Sequence, residues 1–270
     1  MSYKLGVIGF GNIAKAIITP LLDKQILKSE EIFCVVNSKN SCEHIKKNYT
    51  HNINISYASS KDSVLVWDCP LKLLSIKPQQ LKNINELIPK NGRENFLISV
   101  LAGISLNKLQ EIFPNHKCVR AVTNIPITIG KGLTGISWSE KIDDKTKILI
   151  KNIFESSSKV YEFAEDYLDV FLALTSSAPA IVALIIEAFS DGGLNGGLPK
   201  RLSEELVLEM ILGTVLMIKD LRISTYEFKN MVTSPAGTTI SALRVLEKEG
   251  FKSALIESIL AATNRSKQFN

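Results

Sequence analysis

The chain has 270 residues, 45% of them hydrophobic and 22% charged, a balance that supports a large packed core and excludes intrinsic disorder. At this length two domains are expected. The net charge of +5 is mild and spread along the chain; the lysine-rich stretch 141–151 has helical spacing and reads as a solvated face, so nucleic-acid binding is not expected, whereas phosphate-bearing small molecules are compatible.

The first element is an apolar strand over residues 4–8, breaking into Gly9-Phe10-Gly11-Asn12-Ile13-Ala14 and then a helix. This is the dinucleotide-binding fingerprint. Gly9 permits the tight turn, Gly11 lets a pyrophosphate approach the backbone, and Ala14 lets helix pack on strand; Phe10, Asn12 and Ile13 complete the wrap. Lys4 before an apolar run, with Ala14-Lys15-Ala16 behind it, imitates a secretory signal. Gly6, Gly9 and Gly11 interrupt that run, and strand-turn-helix uses each of them.

The second strand, residues 32–37, runs into Asn37-Ser38-Lys39-Asn40, with no carboxylate until Glu43. An acidic side chain here would hold the ribose hydroxyls of NAD(H) and repel a 2′-phosphate. Its absence points to NADPH, with NADH still possible, and assigns Ser38 and Lys39 to the phosphate. A plain surface lysine is the other reading of Lys39. Strands at 71–76, 96–101, 118–122 and 133–138 alternate with helical stretches, the pattern of βαβ units and a mostly parallel sheet. Cys34, Cys42, Cys69 and Cys118 lack paired spacing, and His44, His51 and His116 do not fall at i, i+4; we expect reduced core thiols and no metal.

After Tyr161 the pattern becomes helical: 168–174, 179–189, 202–218 and 251–266. The division is therefore residues 1–162, a Rossmann-like NAD(P)-binding domain, and residues 163–270, an all-helical domain, giving an α/β fold class overall. Helices this apolar, with small residues such as Ala178, Ala183 and Gly213, are expected to bury part of their surface against another subunit. Glu187 and Glu209 interrupt the longest apolar runs, so no membrane span is expected and the protein is read as cytoplasmic. Gly192-Gly193 and Gly196-Gly197-Leu198-Pro199 read as a helix end, a turn and a helix start.

Near the C-terminus, Thr233-Ser234-Pro235-Ala236-Gly237-Thr238-Thr239 opens a helix with small and hydroxylated residues. Successive N–H groups there form a cradle for a carboxylate. A plain capped helix is the alternative.

Taken in order, Gly9-x-Gly11-x-x-Ala14, Ile76-Lys77-Pro78-Gln79, Ala102-Gly103-Ile104, Arg120-x-x-x-Asn124-x-Pro126, Ala173-Leu174-x-x-Ser177-x-Pro179-Ala180, Gly197-Leu198-Pro199 and Thr233-Ser234-Pro235-x-Gly237-Thr238-Thr239 resemble the motifs of pyrroline-5-carboxylate reductases across almost the whole chain. The resemblance implies a Rossmann-like domain joined to a helical dimerisation domain, an active site completed by helices of a partner subunit, and dimers that often assemble further. It implies reduction of 1-pyrroline-5-carboxylate to L-proline by NADPH. Ser75, Ile76, Lys77 and Pro78 would border the cofactor, Lys77 mainly as a positional residue. Val100, Leu101 and Ala102 would run beneath the nicotinamide, with Asn124 closing the far side or simply holding a loop. Backbone N–H groups of Gly237, Thr238 and Thr239 would hold the substrate carboxylate, and the Thr239 hydroxyl would face the imine nitrogen as the catalytic group.

The chain departs from the family pattern where Met-Pro-Asn-Thr-Pro becomes Val122-Thr123-Asn124-Ile125-Pro126, Ser-Gly-Ser-Gly-Pro-Ala becomes Thr175-Ser176-Ser177-Ala178-Pro179-Ala180, and Pro-Gly-Gly becomes Pro235-Ala236-Gly237. These changes leave open a divergent member acting on a related cyclic imine, or a non-catalytic nucleotide-binding relative. A 3-hydroxyacid dehydrogenase would need a lysine on an inter-domain helix with an asparagine four residues later, and none is evident.

Overall fold

The computed structural model describes residues 3–84, 88, 95–139 and 142–268. By internal packing the chain forms two compact units, Met1–Ser176 with Ala262–Asn270, and Ser177–Ala261.

The first unit is built on eight strands: β1 (Leu5–Ile8), β2 (Ile32–Val36), β3 (Asn54–Tyr57), β4 (Leu71–Leu74), β5 (Asn95–Ser99), β6 (His116–Thr123), β7 (Gly132–Trp138) and β8 (Ser158–Glu162). They lie in the order β3-β2-β1-β4-β5-β6-β7-β8, parallel except for the β6–β7 pair. β1, β2 and β4 are buried at every position, as expected of strands covered on both faces. Alternate side chains feed two cores. One gathers Val7, Cys34 and Leu73 with Ala14, Ile17 and Ile18 of helix α1 (Asn12–Asp23), and Ile150 and Phe154 of α4 (Asp144–Glu155). The other gathers Phe33, Leu97 and Cys118 with Trp67 and Phe113. All four cysteines are free and buried.

β3 and β8 were not anticipated. Asn54-Ile55-Ser56-Tyr57 and Ser158-Lys159-Val160-Tyr161-Glu162 are the two edge strands, and edge positions accept polar side chains that hide the apolar signal. β2, β4 and β5 also end earlier than the runs at 32–37, 71–76 and 96–101 imply. Their last residues leave the sheet and become available to a ligand.

The buried Arg120 guanidinium on β6 ties this unit together. It donates to Glu165 Oε1 and Asp169 Oδ1, each at 3.0 Å. Glu165 also accepts from Leu106 N at 2.7 Å, and Asp169 from the Ser266 hydroxyl at 2.8 Å. Asp169 belongs to α5 (Leu168–Leu172) and Ser266 to α10 (Phe251–Lys267). α5 and the last turns of α10 are thereby part of this unit.

The second unit contains α6 (Ala178–Asn195), α7 (Lys200–Leu221), α8 (Thr225–Met231), α9 (Thr238–Lys248) and most of α10. α6 runs through Gly192-Gly193 rather than ending there. A Cβ on Gly193 would collide with the Ser203 hydroxyl, which donates to Ser190 O at 2.8 Å, so this glycine serves close approach of α7 to α6. The turn falls at Gly196-Gly197, with Gly197 at φ +96°, and Pro199 is the N-cap of α7. In the single chain Leu184, Leu206, Leu208, Leu212 and Val215 are exposed. The stretch Glu165–Asn195 is long and apolar enough, by length and composition, to cross a membrane. Glu187 interrupts this run, but one carboxylate leaves the surrounding window apolar, and core helices of soluble proteins share this property.

Candidate active site

The strand order reverses direction at β1, between β2 and β4, and the carboxyl ends of such strands are where open α/β sheets bind ligands. A cavity of about 1160 Å³ lies there. Gly9, Phe10, Gly11, Asn12 and Ile13 line it, as do Ser75, Ile76, Lys77 and Val100. Backbone hydrogen bonds from Gly9 N to Val35 O and from Ser75 N to Ile8 O, both 2.8 Å, and from Val100 N to Leu74 O at 3.0 Å, fix the strand ends beside one another.

The glycines differ in what they do. Gly9 has φ +88°, and a Cβ there would strike the Ser75 carbonyl, so it is needed for the turn and for the approach of β4. Gly11 would place a Cβ with nothing within 4 Å, in the cavity that it lines. It is the N-cap of α1, whose first turn has no side-chain cap and no acidic residue. Uncapped amides at the start of a 12-residue helix, opening on space that a side chain would fill, fit a pyrophosphate.

The remaining cofactor candidates are placed differently. Ala14 is fully buried on the core-facing side of α1, in keeping with a packing role. Pro78 opens a short helical turn whose N-cap, Lys77, is held by its N–H to Gln80 Oε1 at 3.1 Å. Leu101 is buried in the second core, and Ala102 is exposed. Ser38 and Lys39 do not line the cavity. The Ser38 hydroxyl caps α2 (Lys39–Asn48) by accepting from Ser41 N at 3.2 Å, and Lys39 reaches Glu43 at 3.9 Å. Asn37, Asn40, Ser41 and His44 form this wall instead, and Lys15 joins from α1. Their helical spacing along α2 was visible in the sequence, but which face of α2 turns to the sheet was not.

Asn124 is buried and is not part of the cavity lining. It accepts from Leu133 N at 2.8 Å and donates to Thr175 O at 3.0 Å, so it holds the β6–β7 loop against the π-helical turn Ala173–Ser177.

In the second unit, Gly237 is the N-cap of α9, and no side chain caps this helix. The Gly237 N–H donates to Ser234 O at 3.1 Å, closing the turn, which takes it out of the cradle. Thr238 and Thr239 occupy the first helical positions, where N–H groups have no intrahelical acceptor. A Cβ on Gly237 would strike the Ser234 hydroxyl. Ala236 sits at φ +57°, a left-handed conformation that favours glycine.

A parallel sheet with a glycine turn at its switch point, followed by a helical unit, defines a dinucleotide-dependent oxidoreductase of two parts. Comparison with known proteins agrees. Residues 4–103 match the family model described as NADP oxidoreductase, coenzyme F420-dependent, and residues 165–269 match pyrroline-5-carboxylate reductase dimerisation. The pyrroline-5-carboxylate reductase of Synechocystis is 36% identical over 268 residues, covering 99% of this chain and 98% of that protein; the soybean (Glycine max) enzyme is 32% identical, covering 100% and 97%. The crystal structure of Plasmodium falciparum pyrroline carboxylate reductase with NADP bound superimposes with a TM-score of 0.83 at 28% identity, covering 99% of this chain and 98% of that one. The chain belongs to the pyrroline-5-carboxylate reductase family.

Proposed function

We propose that the protein reduces 1-pyrroline-5-carboxylate to L-proline with NADPH. The observation that carries this reading is a cavity at the switch point whose lining includes Lys15, Lys77 and His44 and, among the described residues, no carboxylate, in a chain whose relatives bear this activity in their names. Such a lining favours a cofactor with an additional phosphate.

The chemistry supplied by the bound cofactor is hydride transfer to the carbon of the ring C=N bond. A protonated cyclic imine is already electrophilic, so the chain's task is orientation. Gly9 and Gly11 admit the pyrophosphate, with Phe10, Asn12 and Ile13 around it. Lys77 offers its positive charge to the cavity from a backbone position fixed by Gln80. Ser75, Ile76, Pro78, Val100, Leu101 and Ala102 shape the two strand ends along the cofactor, and Asn124 keeps the neighbouring loop in register. Thr238 and Thr239 offer backbone N–H groups to the substrate carboxylate, Gly237 allows the turn that aims them, and the Thr239 hydroxyl contacts the imine nitrogen.

The functional division runs at residue 162, with cofactor chemistry before it and dimerisation and substrate binding after it. The protein works as a homo-oligomer, because the apolar faces of α6 and α7 need a second copy to cover them. Dimers associate further, and the enzyme acts in the cytoplasm. NADPH oxidation measured with and without pyrroline-5-carboxylate tests the reading: oxidation that depends on the imine is expected, and its absence would overturn the assignment.

A further inference from the structure

We infer that His44 is a specificity-determining residue for the 2′-phosphate of the dinucleotide, an inference that rests on the NADPH reading above. Of the side chains that follow β2 in sequence, Asn37 lines the cavity, whereas Ser38 and Lys39 do not. Ser38 is committed to capping α2, and its hydroxyl pairs with Ser41 Oγ at 2.9 Å; Lys39 points to Glu43. The cavity wall on this side comes from the first turns of α2, where Asn40, Ser41 and His44 fall on one helical stripe.

His44 is the one ionisable group that α2 contributes to this lining. Its ring is also oriented by a neighbour. The Asn48 side-chain amide nitrogen lies 3.2 Å from His44 Nδ1 and donates to His44 O at 2.8 Å. With the amide nitrogen identified as a donor, Nδ1 accepts, and the ring proton resides on Nε2. The imidazole therefore offers an N–H donor while neutral, suited to a phosphate oxygen. Glu43, the nearest carboxylate on α2 in sequence, is not in the lining.

The test is binding, measured by calorimetry on the intact protein with NADP⁺, NAD⁺, 2′-AMP and 5′-AMP. His44→Glu places a carboxylate against the phosphate and should weaken NADP⁺ and 2′-AMP by about tenfold or more, leaving NAD⁺ and 5′-AMP within about threefold. His44→Gln, which keeps an N–H donor, should retain most of the preference. An unchanged ratio of NADP⁺ to NAD⁺ affinity in His44→Glu, or an equal loss for both, overturns the role of His44. Equal affinities for NADP⁺ and NAD⁺ in the parent protein would instead overturn the NADPH reading.

Discussion

The Ser176 hydroxyl donates a 3.1 Å hydrogen bond to the backbone oxygen of Thr123, so two positions at which the chain departs from its family's motifs are in contact. Thr123 Oγ1 in turn accepts from Thr134 Oγ1 at 3.1 Å, while Asn124 grips Thr175 beside it. The Ser176 hydroxyl thus adds a hydrogen bond between the β6 end and the π-helical turn, and the Thr123 hydroxyl adds one between β6 and β7. Ser176→Ala is expected to lower unfolding stability by about 1 kcal/mol, and Ser176→Gly by about 2 kcal/mol because glycine adds backbone entropy. Urea denaturation checks this; two variants as stable as the parent would show that the contact contributes nothing.

Ala236 carries the left-handed φ of +57° at a position where the family has glycine. An L-residue there costs about 1–2 kcal/mol relative to an unstrained conformation, partly offset by the greater entropy glycine loses on folding. Ala236→Gly should therefore stabilise the protein by about 0.5–1 kcal/mol. A lower melting temperature for this variant would contradict the strain argument.

Arg120 is 1% exposed and serves both Glu165 and the 5% exposed Asp169. Arg120→Met removes the guanidinium that Glu165 and the buried Asp169 share. The expected loss is about 3–5 kcal/mol, the range for removing one partner of a buried ion pair. If the change costs less than about 1 kcal/mol by chemical denaturation, the network is not a structural anchor.

Two buried bases on one face of the sheet make stability rise with pH in two separate windows. Burial pushes His116 down from 6.5 to about 4, and the charge of Lys72 adds to this; its Nδ1 has no hydrogen-bond partner among the described residues. Between those values the unfolded chain holds the proton and the folded chain does not, so stability falls as pH drops from 6.5 towards 4. Lys72, fully buried with Nζ donating to Cys69 O at 2.7 Å, is pushed down by burial from 10.5 to about 8. Stability gains from it as pH rises from 8 to 10.5, where only the unfolded lysine stays charged. Melting curves across pH should show a shallower acid decline for His116→Gln and loss of the alkaline gain for Lys72→Met. Variants whose profiles run parallel to the parent's would refute the assignment.

Thr239→Ala is expected to lower kcat/KM by roughly ten- to a hundredfold, the effect of losing a hydrogen bond of about 1.5–3 kcal/mol to a charged group. NADPH affinity should hardly change. Intact imine reduction, or loss of cofactor binding instead, would remove the α9 cradle from the mechanism.

Much of this molecule was legible in local pattern. Gly9, Gly11 and Ala14 declare a strand, a turn and a helix because they fall at fixed spacing directly after an apolar run, and the apolar runs around Val35, Leu73 and Ile98 declare covered parallel strands. The helical second half follows from periodicity alone. Tertiary structure decided what depends on which face of an element meets which neighbour. β3 and β8 were hidden because edge strands tolerate polar residues. That Ser38 caps α2 while Ser41 and His44 line the cavity depends on how α2 turns against β2, which packing settles. Gly193 marks a close approach of α7 rather than a helix end. Asn124 proved to be a buried clasp, since its partners Leu133 and Thr175 lie 9 and 51 residues away, beyond the reach of any local signal.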